Sequence, residues 1–362
     1  MKFPSRSFQR TLRAITRSVV RAGSKAVAQA LKPRKIAAAK ASGRRATPGT
    51  IKARSTARSP APAPAKRAFA GRAPPMRKGS GYQLFVPPGL RRNEHLPLLV
   101  MLHGCGQDAE GFAASTRMNQ IALRERFLVL YPEQNRLANL QGCWNWHQTR
   151  SGQAQGEADA INARISQVCK LHAVDPQRIA VAGFSAGAGM AALLATRHPE
   201  RFCALAMHSG IVPGVAHSTP SALAAMRGLG VAQPLATLAT GLHLPPLLVL
   251  QGSADNVVAP SNGALAAHSW ATLEGDKAGV ARKVQRGTRY PVDVTDYRAR
   301  GRLVVTLCDI KGLAHAWSGG AASQAYSDPK GPDASRMVWS FVAKQFDATA
   351  LLALPLQERL VG

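Results

Sequence analysis

Short apolar runs alternate with longer stretches of helical periodicity through most of the sequence. Seven of these runs predict β-strands, at residues 82–86, 96–102, 127–131, 178–182, 202–207, 247–250 and 303–307. Continuous apolar runs of this kind are typical of strands that are covered on both faces. Between them, apolar residues at helical spacing predict helices, as at residues 158–171 and 188–196. Because strands and helices alternate, we expect an α/β domain with a mainly parallel central sheet flanked by helices.

Basic residues concentrate at the start of the 362-residue chain. Residues 1–80 contain 21 of the 47 Lys and Arg residues and no acidic residue. Within residues 5–31, apolar residues recur three or four positions apart beside a stripe of Arg, which predicts a basic amphipathic helix. The following Ala, Pro, Lys and Arg composition buries too little apolar surface to fold, so we interpret it as a linker. The chain thus divides into a disordered basic tail (1–80), a folded domain (81–345) and a C-terminal extension (346–362).

Three interpretations of this tail stay open. It is a solvated arm without a specific partner, a segment that docks on an anionic surface (a granule, a membrane or a nucleic acid), or a targeting segment. It has no 7–15-residue apolar core of a secretory signal, and it has no interleaved aromatic residues for stacking on nucleic-acid bases. No run of 18 apolar residues occurs in the chain, so we expect no transmembrane helix.

Gly183-Phe184-Ser185-Ala186-Gly187 is the strongest chemical signal in the sequence. It fits G-x-S-x-G and lies between a predicted strand and a predicted helix, which is the context of a nucleophile elbow. The serine of such a turn has strained dihedral angles, and the flanking glycines leave room for them. We interpret Ser185 as a nucleophile.

Two other interpretations of this region are weaker. One is a Gly-rich turn that only packs a helix against the sheet. The other is a G-x-G-x-x-A dinucleotide fingerprint at residues 187–192, which requires an acidic residue about 20 positions later. Met207 and His208 lie near that position instead.

A serine nucleophile needs a general base and a carboxylate that orients the base. In elbow hydrolases the chain order is Ser, acid, His. Asp255 follows the predicted strand at residues 247–250, and His315 follows the strand at residues 303–307. We therefore predict that both are catalytic. The alternatives are a turn-capping role for Asp255 and a surface position for His315, while His208 and His217 have no place in this order.

The oxyanion of the tetrahedral intermediate needs N–H donors. We expect one from the backbone of Ala186, which follows the nucleophile. The loop after the strand at residues 96–102 provides the other position, and we predict the main-chain N–H of Cys105. The alternative is that Gly104 and Gly106 only permit a tight turn there. Residues 213–241, rich in Ala and Leu, are expected to include a helix that caps the site, whereas the pattern of the polar, basic connection at residues 275–301 assigns no structure to it.

These pieces together resemble the poly(3-hydroxybutyrate) depolymerase-type esterases, which include short-chain polyhydroxyalkanoate depolymerases and feruloyl and acetylxylan esterases. The resemblance covers about 260 residues, from Gly81 to Val342, and rests on LHGC at 102–105, GCWNW at 142–146, GFSAGA at 183–188, GSAD at 252–255 and GLAHAW at 312–317. It implies an α/β-hydrolase fold and ester hydrolysis without a metal or cofactor. Many members carry a secretion signal, so the resemblance implies an extracellular location. The missing signal pattern instead favours a cytoplasmic or granule-associated protein.

Aromatic and cysteine residues surround the predicted site. Trp144, Trp146 and Trp317 are expected either to line an apolar substrate cleft or to pack in the core. Cys105 and Cys143 both adjoin the site, and a bridge between them is open to the protein in an oxidising compartment. The five cysteines form no C-x-x-C pair, which argues against a structural zinc site, and no H-E-x-x-H or Walker motif occurs.

We therefore expect a serine esterase that works through an acyl-enzyme, most simply a polyhydroxyalkanoate depolymerase or a hydrolase of its oligomers. A feruloyl, acetylxylan or other short-chain carboxylesterase is the alternative within the same chemistry. A protein of another class, which binds anionic surfaces with its tail and keeps the hydrolase fold without catalysis, is the remaining alternative.

Overall fold

The computed structural model describes residues 76–79, 81–235, 243–273 and 277–353, so the predicted basic tail lies almost entirely outside the described residues. The described strands are β1 (Arg77–Gly79), β2 (Tyr82–Phe85), β3 (Leu96–Leu102), β4 (Leu128–Pro132), β5 (Val174–Phe184), β6 (Ala204–His208), β7 (Leu247–Gly252), β8 (Lys277–Ala278), β9 (Arg282–Val284), β10 (Val292–Ala299), β11 (Arg302–Ile310), β12 (Trp317–Ser318) and β13 (Ser327–Asp328). The described α-helices are α1 (Ala109–Thr116), α2 (Met118–Glu125), α3 (Gln153–Leu171), α4 (Ala186–Arg197), α5 (Thr219–Met226), α6 (Ser261–Thr272) and α7 (Ala334–Ala353).

One large sheet organises the described residues, in the order β1-β2-β4-β3-β5-β6-β7-β11-β10-β8, with β9 paired to β10. The strands from β4 to β11 in this order are parallel, and the pairs towards both edges are antiparallel. Leu102 of β3 pairs with Gly183 of β5, and Phe184 pairs with His208 of β6. The carboxyl ends of the central strands therefore meet at one edge, where α/β folds build their sites.

The two faces of the sheet pack against separate helix layers. Leu98, Val100 and Leu102 of β3 join a core with α3, α4 and α6, whereas Leu99 and Met101 join a core with α1, α2 and α7. All of β3 is buried, as a strand covered on both faces requires. The predicted fold class, a mainly parallel sheet flanked by helices, is confirmed.

The edges of the sheet contain the elements that the sequence left unassigned. Residues 275–301, whose structure the sequence left open, contain β8, β9 and β10, and β10 pairs with β11, β8 and β9. At this edge β9 carries the exposed Arg282 and Lys283. At the opposite edge β1 carries the exposed Arg77 and Lys78. Both outer margins of the sheet thus carry exposed basic residues.

Two expected boundaries can also be compared with the structure. Helix α7 continues through residues 345 and 346, where the C-terminal extension was expected to begin, and Phe346 is buried. The stretch expected to cap the site contains the short helix α5, while residues 236–242 lie outside the described residues. None of the helices described here has the length and apolar character that crossing a lipid bilayer would require.

Candidate active site

Ser185 lies at the turn between β5 and α4, with φ of 55° and ψ of −120°. A positive φ is rare for a residue with a side chain and marks a strained turn. The Ser185 N–H donates a 2.9 Å hydrogen bond to the carbonyl oxygen of His208. A Cβ on Gly187 would overlap the carbonyl of Leu102, and a Cβ on Gly183 would overlap the carbonyl of Gly187. Both glycines are therefore required by the close approach of backbone segments.

His315 and Asp255 reach Ser185 from loops that follow two neighbouring strands. Gly252 at the end of β7 pairs with Ile310 at the end of β11. The Nε2 atom of His315 lies 3.0 Å from Ser185 Oγ, and its Nδ1 atom lies 2.8 Å from Asp255 Oδ2. Because the carboxylate accepts a hydrogen bond from the Nδ1–H group, Nε2 carries no proton and is left to accept the proton of the hydroxyl. The three residues that the sequence singled out thus form one hydrogen-bonded chain.

The carboxylate of Asp255 is held on both sides. Its Oδ1 atom accepts hydrogen bonds from the N–H groups of Val257 (3.0 Å) and Val258 (2.9 Å), and Gln251 Nε2 lies 3.4 Å from Oδ2. Burial alone would raise the pKa of Asp255, but its hydrogen bond to His315, the charge of that ring and the two N–H groups together lower it. One oxygen therefore caps a turn, as one sequence alternative held, while the other faces the imidazole.

The two predicted oxyanion donors belong to segments that are in contact. Ala186 is the first residue of α4, so its N–H has no acceptor within the helix. Cys105 lies in the loop after β3, where a Cβ on Gly104 would come within 2.9 Å of the Phe184 ring. This contact, together with the contact of Gly187 with the end of β3, sets the loop directly against the elbow.

A disulfide joins Cys105 to Cys143, 38 residues later. Beside it, the N–H of Gly106 donates a 2.9 Å hydrogen bond to the carbonyl of Gln141. The bridge that the sequence left open is thus present in the structure. It fastens the loop that carries the Cys105 N–H to the segment that carries Trp144.

The three candidate tryptophans occupy different environments. Trp146 is partly buried, and its ring lies 3.1 Å from where a Cβ on Gly189 would stand, so it covers the first turn of α4. Trp144 and Trp317 are 3% and 1% exposed, and the indole N–H of Trp317 donates a 3.0 Å hydrogen bond to Ser335. These two pack in the core, which was the second of the two alternatives. Among the three, Trp146 alone keeps surface beside the elbow.

Asn139 and Glu157 carried no recognised signal in the sequence, and both bond Asn145 of the GCWNW motif. Asn145, between the two tryptophans, donates its N–H to Glu157 Oε2 (2.9 Å), and its side-chain amide donates to the other oxygen of the same carboxylate. Asn139 donates a further 3.0 Å hydrogen bond to Asn145. Glu157 lies on α3, far along the chain from the elbow, and only the tertiary fold reveals that it anchors this loop.

Chain order excluded His208 and His217 as the general base, and in the structure both side chains have other hydrogen-bond partners. His217 Nδ1 lies 3.0 Å from Thr149 Oγ1. His208 is buried, and its Nε2 atom accepts the N–H of Ser318 at 3.2 Å. The one available signal for His208 was its position at the end of a predicted buried strand, at the same sheet edge as Ser185.

The arrangement has the parts that acyl transfer requires. A hydroxyl, an imidazole and a carboxylate are joined by hydrogen bonds, and the loop that carries Cys105 adjoins the elbow that carries Ala186. Within residues that the structure describes, no group of three His, Cys, Asp or Glu side chains is arranged to hold a metal ion. The hydrogen-bonded chain from Asp255 through His315 to Ser185 supports nucleophilic chemistry by the serine.

Comparison with known families gives one direct match. The profile described as "Esterase PHB depolymerase" matches residues 80–292, more than half of the chain. This span includes Ser185, Asp255 and the Cys105 loop, and it ends before His315.

Two curated proteins are similar in sequence. Poly(3-hydroxyalkanoate) depolymerase C of Paucimonas lemoignei is 34% identical over 186 residues, which cover 49% of this chain and 44% of that protein. Feruloyl esterase B of Thermothelomyces thermophilus is 28% identical over 206 residues, which cover 53% of this chain and 69% of that protein. The chain thus spans less than half the length of the depolymerase it matches.

Among solved structures, an acetyl xylan esterase from Aspergillus awamori has a similar fold. The match has a TM-score of 0.53 at 19% identity, and it covers 65% of this chain and 88% of that one. At this identity the likeness establishes the fold, an α/β-hydrolase-like sheet with flanking helices.

Proposed function

The chain belongs to the Esterase PHB depolymerase family of carboxylic ester hydrolases, and from that premise we propose that it cleaves esters through an acyl-enzyme on Ser185. The observation that carries this proposal is the chain of hydrogen bonds from Ser185 Oγ through His315 to Asp255, at 3.0 and 2.8 Å.

The first half-reaction forms the acyl-enzyme. His315 Nε2 takes the proton of Ser185 as Oγ attacks the ester carbonyl carbon, and the carbonyl π-electrons move onto the oxygen. The N–H groups of Ala186 and Cys105 stabilise this oxyanion. When the tetrahedral intermediate collapses, the C–O bond to the alcohol breaks and the alcohol oxygen takes the proton from His315. Asp255 stabilises the imidazolium that forms in between.

The second half-reaction releases the acid. A water molecule gives a proton to His315 Nε2 and attacks the acyl carbon, and the same two N–H groups hold the second oxyanion. The bond between Ser185 Oγ and the acyl carbon then breaks, and Oγ recovers its proton from His315. The products are the free carboxylic acid and the original hydroxyl.

The substrate we propose is a polyhydroxyalkanoate or its oligomers. The similarity to a poly(3-hydroxyalkanoate) depolymerase supports it. So does the loop after β4, where Leu137 and Leu140 are 93% and 87% exposed beside the segment that carries Trp146. Exposed aliphatic side chains at the carboxyl edge suit contact with an apolar polyester.

The nucleophile is tested with the Ser185→Ala variant. We expect it to lose hydrolysis of p-nitrophenyl butyrate and covalent labelling by a fluorophosphonate probe, because both need Oγ. Full activity of the variant would refute the assignment. Absence of labelling and turnover in the unmodified protein would instead favour a non-catalytic binding protein on this fold.

The polyester is tested with a substrate panel and a surface variant. Hydroxybutyrate oligomers and polymer film should be hydrolysed faster than feruloyl esters or acetylated xylan. The double variant Leu137→Ser/Leu140→Ser should lower the film-to-butyrate activity ratio. Leu171→Ser, which changes an exposed leucine at the end of α3, is the matched control. An unchanged activity ratio would show that Leu137 and Leu140 do not contact the polymer, and they would no longer support a polyester as the substrate.

A second candidate, a sugar ester, is favoured by polar groups beside Trp146. His147 Nε2 lies 3.4 Å from Thr219 Oγ1, and Gln148 donates a 3.2 Å hydrogen bond to the same oxygen. An aromatic ring next to such groups suits a hydroxylated alcohol portion. The same panel separates the two candidates, since this one predicts preference for acetylated xylan or feruloyl sugars.

We further propose that the basic tail, residues 1–80, tethers the enzyme to an anionic surface. Its support is the charge distribution in the sequence. Cosedimentation of the full chain with anionic vesicles, DNA or polyester granules should weaken as salt rises. Binding that is insensitive to salt would contradict an electrostatic tether.

A further inference from the structure

His208, the last residue of β6, lies directly beneath the candidate site. Its side chain is 1% exposed. The imidazole stacks on the Trp317 ring, with centroids 5.1 Å apart and planes 28° apart, and meets the Phe184 ring edge-on at 5.5 Å. Phe184 precedes the nucleophile and Trp317 follows His315 by two residues. The imidazole therefore packs between the two chain segments that must meet for catalysis.

Hydrogen bonds connect the same residue to both segments. The main-chain carbonyl of His208 accepts the Ser185 N–H at 2.9 Å. Its ring Nε2 atom accepts the N–H of Ser318 at 3.2 Å, three residues after His315. Its Nδ1 atom lies 3.1 Å from Ser209 Oγ. Because Nε2 is an acceptor, the neutral ring carries its proton on Nδ1 and donates it to that hydroxyl.

We propose that His208 is a positioning residue that sets the distance between Ser185 Oγ and His315 Nε2. Its main chain fixes the nucleophile and its ring fixes the segment that carries the base. This inference rests on the proposed function, since it assigns no chemistry to His208 itself. The chain order that excludes His208 as the base leaves this second role open.

The ring can hold the Ser318 N–H only while it is neutral. Protonation would turn Nε2 into a donor and place a second cation near His315. Burial and the nearby charge of His315 lower the pKa of His208 to about 3, against the opposing effect of Asp255. The acceptor is thus retained when His315 becomes an imidazolium during the reaction.

Two substitutions distinguish the hydrogen bond that His208 Nε2 accepts from the packing of the imidazole ring. In His208→Gln the amide oxygen reaches the position of Nε2 and can accept the Ser318 N–H. In His208→Asn the amide ends at the position of Nδ1, which leaves that N–H unpaired. We expect His208→Asn to lower kcat on p-nitrophenyl butyrate by about 10- to 100-fold with KM within about twofold, and His208→Gln to recover most of the loss.

The control removes packing without touching the site. Ile165→Ala changes a buried α3 side chain in the opposite core layer and should lower stability while kcat of the folded protein is unchanged. If His208→Asn fails to fold, Ser209→Ala removes the acceptor of the Nδ1 proton and should lower kcat in the same direction by a few fold.

The outcomes distinguish this inference from the proposed function. If Ser185→Ala is inactive but His208→Asn keeps the kcat of the unmodified enzyme, the positioning role is wrong and the serine mechanism stands. An equal loss of kcat in the Asn and Gln variants also overturns the role, because the acceptor would then be irrelevant. If the unmodified protein is not labelled by a fluorophosphonate, it is the proposed function that fails.

Discussion

The nucleophile elbow and the loop that carries His315 are held in place in different ways. At the elbow, backbone segments approach so closely that Gly183 and Gly187 have no room for a Cβ. The His315 loop is held by distant polar partners: Ser318 N–H binds His208, Ser318 Oγ donates to the carbonyl of Pro332, and Trp317 binds Ser335. Close backbone packing thus fixes the nucleophile, whereas hydrogen bonds to distant residues fix the base.

The largest expected effect tests the base side of this comparison. In Asp255→Asn, the amide oxygen should keep the two N–H groups of Val257 and Val258, so the amide nitrogen would face His315. That nitrogen donates, which forces the proton of His315 onto Nε2 and removes its basicity towards Ser185. We expect kcat to fall by about 10⁴-fold with the fold intact. Activity assays with circular dichroism measure this, and a loss below tenfold would contradict the assigned tautomer.

The second effect tests the steric side. Gly187→Ala should destabilise the protein by about 3 kcal/mol or more, since its Cβ would overlap the carbonyl of Leu102 and neither backbone segment can yield cheaply. The matched control is Gly156→Ala in α3, where a Cβ meets nothing within 4 Å. That variant should gain up to about 1 kcal/mol from its better helix propensity. Urea unfolding measures both, and equal stabilities would contradict the steric account.

The third effect concerns the Cys105–Cys143 disulfide, which fastens the loop that adjoins the elbow. Replacing Cys105 and Cys143 together by Ala should lower the free energy of unfolding by about 3 to 4 kcal/mol, because a 38-residue loop is no longer closed. Looser placement of the Cys105 N–H should lower kcat by about tenfold. Cys169→Ala is the control. A double variant with normal kcat would separate the bridge from the oxyanion donor.

The smallest effect is a dependence of stability on pH. The folded pKa of His208 is about 3, against an ordinary value of 6.5. In this pH range the His208 imidazole binds a proton in the unfolded chain but stays neutral in the folded protein. Stability therefore falls as pH drops from 6.5 towards 3. The slope for this group is about 1.4 kcal/mol per pH unit. Between pH 6 and 4.5, the free energy of unfolding of His208→Gln should fall by about 2 kcal/mol less than that of the unmodified protein. If urea unfolding shows the same pH dependence for both proteins, His208 is not the source.

The contrast between the elbow and the His315 loop also explains what the sequence could predict. The fold class and the central strands follow from apolar runs such as that of β3, and Ser185 follows from a five-residue motif. Asp255 and His315 were found through their order and their positions after strands. All of these signals are local or depend only on order along the chain.

The remaining features depend on tertiary contacts. The polar β10 is a strand because it pairs with β11, and Glu157 on α3 holds Asn145 in the loop that precedes this helix. The burial of Trp317 also has no local signal, because the GLAHAW motif at residues 312–317 is equally compatible with a tryptophan that lines an open cleft. Chain order excludes His208 as the general base, but the contacts of its ring with Phe184 and Trp317 follow only from the tertiary structure.

The exposed cations on β1 and β9 have a consequence for self-association. An open sheet offers unpaired backbone groups at its margins, and another copy could add there as a further strand. Any such addition would bring Arg77 and Lys78, or Arg282 and Lys283, against the same residues of a second copy or against its other basic margin. Arg282 is paired with Asp296 at 2.7 Å, so electrostatic repulsion against edge-to-edge association comes from Arg77 and Lys78 at one margin and from Lys283 at the other.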